Sequence, residues 1–560
     1  MKSNRGILAA LATAVVLLLT ACGGLPTSGP VNIGLSIDAD DGDLPVVYVP
    51  TAPAPGMTPQ QIVEGFIAAG SGTRDDWGIA RQYLASEIAE TWNPRAAVAI
   101  YAPGDREFEQ VADDEVVMTV TPEAAVDATG AYAVVVDRGE IRTEYRLAQQ
   151  ADGEWRITEA PDGIVLDRGR FLSVFHSYAL MYFDPTWTYL VPEQRWFPSD
   201  NAATLITRAL VDGQPGPWLA DSVVTAFTEG TGLGSASVPV RSEVAEVTLR
   251  PAARDLDSVT LNRMQTQLEK SLATANVGGV EMVADGQVLT ASAVAVRPTR
   301  VDTRALVAVD GYFGFLSGEE LESIPGLSEA VERAGVDAVE VDADRAYAAI
   351  RTIDGAVGRA RDDGTSDRYD ARAGLLAPTI DTRGYVYAVP GDDPTAVVAY
   401  GADGTAHEIA GAWPSANRIV AMRVSRDGTR VAAIVRQGTR IGVQVSGIVR
   451  DGDGVPLSFG EPITLTIVDG EGAGLVWVDD LTLALAYSTA GESYLRDQPV
   501  GGPGSQIRAR PDIAAVSAGT GSGSVRLLDT AGALYLQQGA TWLHASSEVD
   551  VLAVQQGMPR

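Results

Sequence analysis

Cys22 is the residue whose type and surroundings point most directly to a chemical modification. It follows Leu19, Thr20 and Ala21, an aliphatic residue and two small ones, which is the pattern of the bacterial lipobox. Small residues before the cysteine let an extended backbone enter a signal peptidase, and the thiol can accept a thioether-linked diacylglycerol. We therefore predict cleavage between Ala21 and Cys22, after which Cys22 carries an S-diacylglycerol and an N-acyl chain such as palmitate.

The segment before Cys22 has the character of a secretory signal peptide, and residues 1–21 are assigned to it. Lys2 and Arg5 form a short positive region, and residues 7–19 form an almost unbroken apolar run. That run is shorter than the roughly 20 residues that a membrane-spanning helix needs. A diacylglyceryl anchor holds a protein stably, because each buried methylene contributes about 0.8 kcal/mol. We expect a protein anchored by lipid to the cell membrane, on its extracytoplasmic face.

Other residues with catalytic or metal-binding potential are few and scattered. The three histidines, His176, His407 and His544, lack a second ligand at the spacing of a metal site. The glycine-rich run at residues 519–524 lacks the lysine and the helix of a phosphate-binding loop, which favours a loop of a β-domain. The sequence therefore predicts no catalytic residue, no metal site and no cofactor.

Two acidic clusters could bind calcium, but solvated turns are the favoured interpretation. They lie at residues 38–43 and 451–454, and neither has the glutamate or the loop length of an EF-hand. Pairs of carboxylates that lie far apart in sequence could also cleave glycosides. An exported hydrolase therefore stays open as a third hypothesis, behind the two given below.

The composition favours a folded body that avoids polyanions. The 560 residues carry a formal net charge of −31, with 46% hydrophobic and 21% charged residues. Such a charge repels nucleic acid and anionic lipid headgroups. The length suggests about three domains, and a single cysteine excludes internal disulfides.

The N-terminal part of the mature chain predicts a tether followed by an α+β domain. Residues 22–57 are rich in Pro, Gly and Asp, which favours extended chain. Thr58 and Pro59 have the pattern of a helix start, and a second helix is predicted at residues 79–88. Five strand-like runs follow, and this order resembles the NTF2-like or cystatin fold. We assign residues 58–168 to that domain.

Residues 169–300 predict a hairpin and a second α+β unit. Asp184-Pro185 between two β-rich runs is a turn signal, and the aromatic residues around it predict an inter-domain core. A helix capped by Ser199 or Asp200 follows. A strand, a long helix with apolar residues at helical spacing, and a closing strand come next. With the Leu-Gly-Pro turn at residues 210–217, this order resembles the GerMN domain.

Residues 303–557 carry a degenerate repeat of about 40 to 50 residues. Each repeat has a turn rich in Asp and Gly that leads into an alternating apolar strand, at Asp342, Asp381, Asp427, Asp479 and Asp529. This pattern predicts an all-β propeller of five or six blades, with an array of β-sandwiches as the competing interpretation. The predicted fold is thus multidomain, with α+β regions before a propeller.

The sequence as a whole resembles the LpqB lipoprotein family of actinobacteria. The resemblance rests on Cys22 with the Leu-Pro-Thr-Ser-Gly-Pro-Val segment at residues 25–31 and on the hairpin at residues 182–196. The GerMN-like stretch and the propeller extend it. Membership implies a partner, because these lipoproteins are linked to the extracellular domain of the MtrB sensor kinase. They modulate the MtrA–MtrB two-component system in cell-envelope homeostasis and division.

The first hypothesis is therefore a non-catalytic, membrane-anchored regulator of a sensor kinase. Its candidate contact surfaces are the GerMN-like domain and one face of the propeller. The alternative is a surface lipoprotein that binds peptidoglycan or another cell-wall glycan, in the central funnel of the propeller or in a GerMN-like groove.

Overall fold

The N-terminal helix starts where its capping residues predict. A computed structural model describes residues 50–559 except residues 138, 319 and 439. Thr58 Oγ1 accepts a hydrogen bond from the backbone N–H of Gln61 at 3.3 Å, and the Gln61 side chain accepts one from the Thr58 N–H at 2.9 Å. This reciprocal capping satisfies two N–H groups that a helix start otherwise leaves free. Three helices open the domain: α1 Pro59–Ala69, α2 Arg74–Arg81 and α3 Ser86–Ala89.

The second predicted helix, at residues 79–88, is wrong as a single element. Helix α2 ends at Arg81, and α3 begins only at Ser86. Between them the chain pairs with a strand of the sheet, because Ala85 N–H donates to Ile157 O at 2.8 Å and Ile157 N–H donates to Tyr83 O at 3.0 Å. These contacts with a residue distant in sequence override the local helical pattern.

A six-stranded sheet carries the core of the N-terminal domain. The five predicted strands are present, and a sixth pairs in parallel with the first of them. The strand order is β5-β4-β2-β1-β6, with β3 on one end of β2. Helix α1 packs its Ile62, Val63 and Phe66 face on this sheet. The strands are β1 Ala97–Ala112, β2 Glu115–Asp127, β3 Tyr132–Val134, β4 Ile141–Gln149, β5 Trp155–Glu159 and β6 Ile164–Asp167.

The predicted hairpin follows a short helix, and its aromatic residues form an inter-domain core as predicted. It consists of α4 Arg168–Val174, β7 Phe175–Phe183 and β8 Leu190–Pro198. The buried carboxylate of Asp184 closes the turn by accepting hydrogen bonds from the N–H groups of Thr186, Thr188 and Tyr189, at 3.0, 2.7 and 2.6 Å. Trp196 packs on Tyr132 of the N-terminal domain, while its indole N–H donates to Gly501 O of the propeller at 2.8 Å.

The GerMN-like unit is a βαβ arrangement with a four-stranded sheet. The strand order is β12-β11-β10-β9, and β10 and β11 run parallel on either side of a helix in sequence. Asp257 is the N-cap of that helix, and its carboxylate accepts hydrogen bonds from two backbone N–H groups. Its elements are α5 Ala202–Val211, β9 Val240–Arg241, β10 Val244–Leu249, α6 Ser258–Ala273, β11 Gly279–Ala284 and β12 Gln287–Val288, with short 3₁₀ turns at Ala220–Ser222 and Pro251–Asp255.

The predicted cap of α5 by Ser199 or Asp200 is wrong. The residue before the helix is Asn201, which has a left-handed backbone and no capping hydrogen bond from its side chain. Asp200 instead accepts a hydrogen bond from Thr73 Oγ1 at 2.8 Å. The contact with the N-terminal domain therefore replaces the local cap.

Six sheets of four or five strands form the propeller in the described part of the chain. Helix α7 Leu327–Ala334 lies between the first two blades in sequence. Blade 1 contains β13 Leu306–Val309, β14 Tyr312–Ser317, β15 Glu320–Glu322 and β37 Val549–Leu552, and blade 2 contains β16 Val336–Val341, β17 Tyr347–Thr352, β18 Val357–Arg361, β19 Ser366–Asp370 and β38 Val554–Gln555. Blade 3 contains β20 Thr379–Ile380, β21 Val386–Ala388, β22 Val398–Tyr400 and β23 Ala406–Glu408, and blade 4 contains β24 Arg418–Val424, β25 Arg430–Gln437, β26 Arg440–Arg450, β27 Pro456–Phe459 and β28 Ile463–Asp469. Blade 5 contains β29 Glu471–Trp477, β30 Thr482–Thr489, β31 Glu492–Pro499 and β32 Ser505–Arg508, and blade 6 contains β33 Ile513–Ala518, β34 Val525–Asp529, β35 Leu534–Gln538 and β36 Thr541–Ser546.

The ring is closed by strands from both ends of the propeller sequence. Strand β37 pairs with β13, so the first blade combines three early strands with one late strand. The inner strands then contact one another in the order β37, β16, β20, β24, β29 and β33, and β33 contacts β37 again. This closure leaves no free edge at the point where the first and last blades meet.

The Asp-rich turns have a common physical role. Asp381 and Asp479 each accept two backbone N–H hydrogen bonds between the inner strand and the second strand of their blades. A short carboxylate side chain folds back on its own turn in this way. Asp529 is not equivalent, because it lies between the second and third strands of the last blade. In that blade the equivalent turn is the glycine-rich run at residues 519–524, which is a blade loop as predicted.

One hydrophobic core joins the hairpin, the GerMN-like unit and the propeller. It includes Leu180 of β7, Leu268 of α6 and Leu485 of β30. The described residues accordingly belong to one compact unit. Among the described residues, no helix combines the length and the apolar composition required to cross a membrane.

Candidate binding sites

The centre of the propeller is filled by side chains from several blades. Glu340 of β16 accepts hydrogen bonds from Thr379 Oγ1 at 2.5 Å, from Ile380 N–H at 3.0 Å and from Gln556 Nε2 at 2.5 Å. Its second oxygen lies 3.6 Å from Nε of Arg423. Burial raises the pKa of Glu340, and Arg423 opposes that shift.

These side chains leave little space beside them. A cavity beside Arg423, Trp477 and Gln556 measures only about 10 Å³, which is hardly the room that one water molecule needs. The C-terminal strand β38 pairs with β16, and Gln556, which follows it, reaches the Glu340 carboxylate.

An aromatic cavity lies between helix α1 and the sheet of the N-terminal domain. It measures about 170 Å³, and Phe66, Trp92 and Tyr145 line it. The ring centroids of Phe66 and Trp92 are 5.1 Å apart, and those of Phe66 and Tyr145 are 6.2 Å apart. Trp92, Thr143, Pro161 and Asp162 also line a wide outer groove. Such a cavity suits a small apolar group.

The outer face of the GerMN-like sheet is open to solvent. Helix α6 covers the inner face, where Ala245, Val247 and Met282 are buried. On the outer face Val244 is 42% exposed and Val288 is 59% exposed. Parallel strands are usually covered on both faces. This open face is therefore a candidate surface for a protein partner.

A third site is a polar cleft where the N-terminal domain meets the propeller. Its volume is about 430 Å³, and its lining residues come from β2, β3, α4, β26, β28, β31 and the loop after β31. Arg168, Arg440 and Arg496 all border it. A cleft with three guanidinium groups can bind an anion.

Comparison with known proteins decides the family. Residues 52–172 match the model of the lipoprotein LpqB N-terminal domain, and residues 296–552 match the model of the lipoprotein LpqB β-propeller domain. The chain belongs to the LpqB lipoprotein family. The hairpin and the GerMN-like unit lie between these two matched regions.

Named relatives of this LpqB family member come from several actinobacteria. Lipoprotein LpqB of Rhodococcus opacus (strain B4) is 28% identical over 296 residues, which are 51% of this chain and 48% of the relative. The chain thus spans about half of that relative's length in the alignment. Lipoprotein LpqB of Bifidobacterium longum (strain NCC 2705) is 25% identical over 504 residues, which are 85% of this chain and 84% of the relative.

Solved structures share only a distant likeness with this LpqB chain. A chain of a nidogen/laminin complex has a TM-score of 0.33 and 11% identity, and it covers 45% of this chain and 97% of its own length. The Dos1 propeller has a TM-score of 0.28 and 12% identity, over 41% of this chain and 66% of its own. The propeller assignment rests on the strand order and on the family model.

In the described part of the chain, the structure does not bring together into one site the histidines and acidic residues that the sequence analysis named as candidates. Cys22 and the cluster at residues 38–43 lie outside the described residues. His407 packs edge-on against Tyr385, and His544 lies 3.2 Å from Ser547 Oγ in another blade. Asp451 accepts hydrogen bonds from its own turn, at Asp453 and Val455 N–H. The arginine cleft was missed, because no motif links its residues in sequence.

Proposed function

We propose that this LpqB family lipoprotein is a non-catalytic regulator that docks on the extracellular domain of a membrane sensor kinase of the MtrAB type. A lipid on Cys22 holds the body at the extracytoplasmic face of the membrane. This confinement raises the effective concentration of two membrane-bound partners, so that a weak contact is sufficient.

The open outer face of the GerMN-like sheet is the observation that carries the proposal. Val244, Val283 and Val288 lie on the same face because they are in cross-strand register through Thr248. The acidic side chains of Glu246 and Glu281 stand between them. An exposed face that combines apolar and charged residues in this way is a surface suited to a regulatory protein contact.

The shared core supports a regulatory role, because it keeps the GerMN-like unit from moving freely relative to the propeller. Because hairpin, GerMN-like unit and propeller are packed into one core, a partner on the open face meets a surface of fixed shape. Little conformational entropy is then lost on binding.

The test is co-purification of the kinase with the native lipidated protein from membranes. Val244→Glu and Val288→Glu place a carboxylate in the proposed contact, and we expect at least about a fivefold loss of co-purified kinase. Val111→Glu is the matched control, because Val111 is an equally exposed valine of the N-terminal domain, at 46%. Equal recovery of kinase with all three variants would contradict the docking face.

Two further measurements separate the parts of the proposal. Cys22→Ser should release the body from membranes, and unchanged membrane binding and processing would remove the anchor. Sedimentation with purified cell wall tests the alternative of glycan binding. Sedimentation of the protein with wall, together with no recovery of kinase from membranes, would replace the kinase proposal by the glycan alternative.

A further inference from the structure

The polar cleft between the N-terminal domain and the propeller contains Arg496, whose guanidinium group makes few hydrogen bonds with the described residues. Within the described residues, the hydrogen bond of Arg496 is the one from Nε to Gln498 Oε1, at 3.0 Å. Its two terminal nitrogens, each with two N–H groups, have no hydrogen-bond partner in that part of the chain. Because Arg496 lines the cleft, water or a bound acceptor must supply the hydrogen bonds of these donors.

A second arginine, Arg168, adds positive charge near Arg496. Arg168 lies close enough that its charge acts on Arg496. Burial lowers the pKa of Arg496 and Arg168 acts in the same direction, while Tyr487 and Tyr132 oppose them. Arg168 is itself paired with Glu123, its Nε lying 3.1 Å from Glu123 Oε2. The Glu123 carboxylate is therefore already engaged by the first of the two arginines.

Arg440 borders the same cleft from the propeller side. It makes no hydrogen bond or ion pair through its side chain with any residue of the described ranges, although Asp469 stands opposite it in the strand register. The other walls combine the carboxylates of Glu123 and Asp469 with apolar surface, which residues 134–136 and Leu465, Ile467 and Val468 form. The cleft thus contains three guanidinium groups against two carboxylates, with hydrophobic surface between them.

A glycine keeps the cleft open around Arg496. A Cβ atom on Gly504 would lie 2.9 Å from Nε of Arg496 and 2.5 Å from Oε1 of Gln498. Any side chain at this position would displace the guanidinium group. The loop after β31 therefore packs closely against Arg496.

We propose that this cleft is a binding site for a phosphate ester. Guanidinium groups pair with the oxygens of a phosphate through parallel hydrogen bonds, and three of them can surround a tetrahedral anion. A volume of about 430 Å³ leaves room for a small polyol attached to the phosphate. The negative charge also relieves the repulsion between Arg168 and Arg496. A soluble phosphate ester and a lipid headgroup share this chemistry.

The test titrates three probes into the full-length lipidated protein in micelles of a nonionic detergent. Inorganic phosphate and glycerol 3-phosphate represent the soluble source, and phosphatidylinositol added to the micelles represents the lipid headgroup. Calorimetry measures each affinity. Arg496→Gln and Arg440→Gln should each weaken binding by about ten- to a hundredfold, the contribution of one charged hydrogen bond.

Arg241→Gln is the matched control, because Arg241 is an exposed arginine far from the cleft lining, with a side chain 81% exposed. Binding of glycerol 3-phosphate that only the two cleft variants weaken assigns a soluble ligand. The same pattern with phosphatidylinositol alone assigns a lipid headgroup. Absence of binding with all three probes, or equal affinities of wild type and both cleft variants, overturns the proposal. Arg440 is exposed at the rim, so its variant keeps the test valid if Arg496→Gln unfolds.

Discussion

At the scale of single residues, the propeller depends on charges buried within its turns. Asp427 and Arg430 are both completely buried, and their carboxylate and guanidinium groups are 2.5 Å apart. Burial alone would raise the pKa of Asp427, but Arg430 and Thr429 hold it below its ordinary value. Arg430 also donates to Asp480 O of the next blade at 2.7 Å. The pair therefore fixes one blade against another.

Asp427→Asn should destabilise the protein by about 3–5 kcal/mol, because it leaves the charge of Arg430 buried without a counter-charge. Urea unfolding followed by circular dichroism measures the change. Asp285→Asn is the control, since Asp285 forms an exposed pair with Arg254 at 3.0 Å and Asn tolerates its left-handed backbone. The control should change stability by about 1 kcal/mol or less. Equal losses in both variants would show that burial of the pair is not the cause.

Glu340 gives the propeller a predictable dependence on pH. Its pKa is raised in the folded protein by burial, so the folded state favours the protonated carboxyl group. Stability from this group is complete below its ordinary pKa of 4.5 and is lost as pH rises through the higher folded value. Glu340→Gln cannot titrate. Its melting temperature relative to wild type should therefore increase as pH rises above 4.5, and a pH-independent difference would exclude ionisation of Glu340 as the cause.

At the scale of elements, local signals were reliable where short side chains act on their own turn. Asp184, Asp381 and Asp479 each cap the backbone that follows them, so the sequence alone predicted the hairpin and several blade turns. The helix at residues 79–88 was wrong, because Tyr83 and Ala85 pair with Ile157, far away in sequence. A local pattern contains no information about such a partner.

The turn at Asp184 tests how much burial adds to this capping. Asp184→Ala should cost about 2–3 kcal/mol, because it leaves buried N–H groups without an acceptor for hydrogen bonds to a charged group. Asp451→Ala is the control, since Asp451 caps an exposed turn in the same way, where water can replace the carboxylate. We expect the control to cost about 1 kcal/mol or less. Chemical denaturation compares the two, and a larger loss for Asp451→Ala would refute the role of burial.

At the scale of the whole molecule, the arginine cleft arises from how the domains are packed. Arg168 belongs to a helix before the hairpin, whereas Arg440 and Arg496 belong to two different blades. Their meeting depends on the docking of the N-terminal domain on the propeller, which sequence periodicity does not encode. The sequence could predict the propeller because each blade repeats a local pattern. It could not predict the cleft, because the cleft occurs once.

The last strands should determine the stability of far more than one blade. Deletion of residues 548–560 removes β37, the inner strand of the first blade, together with β38 and the Gln556 contact of Glu340. Blade 1 would then have a free edge beside the axis, and the ring would open. Because the propeller shares its core with the hairpin and the GerMN-like unit, we expect protease cleavage throughout residues 175–547, well below the melting temperature of the wild type.

Deletion of residues 559 and 560 alone is the matched control, because it keeps both strands and the hydrogen bond from Arg297 to Met558 O at 3.2 Å. This shorter deletion should unfold in calorimetry with the wild-type transition. The N-terminal domain has its own core of α1 and the six-stranded sheet, so its residues 58–167 should resist the protease longest in the larger deletion. Cleavage confined to blade 1 would contradict a shared cooperative unit, since it would show that the other blades, the hairpin and the GerMN-like unit hold together without ring closure.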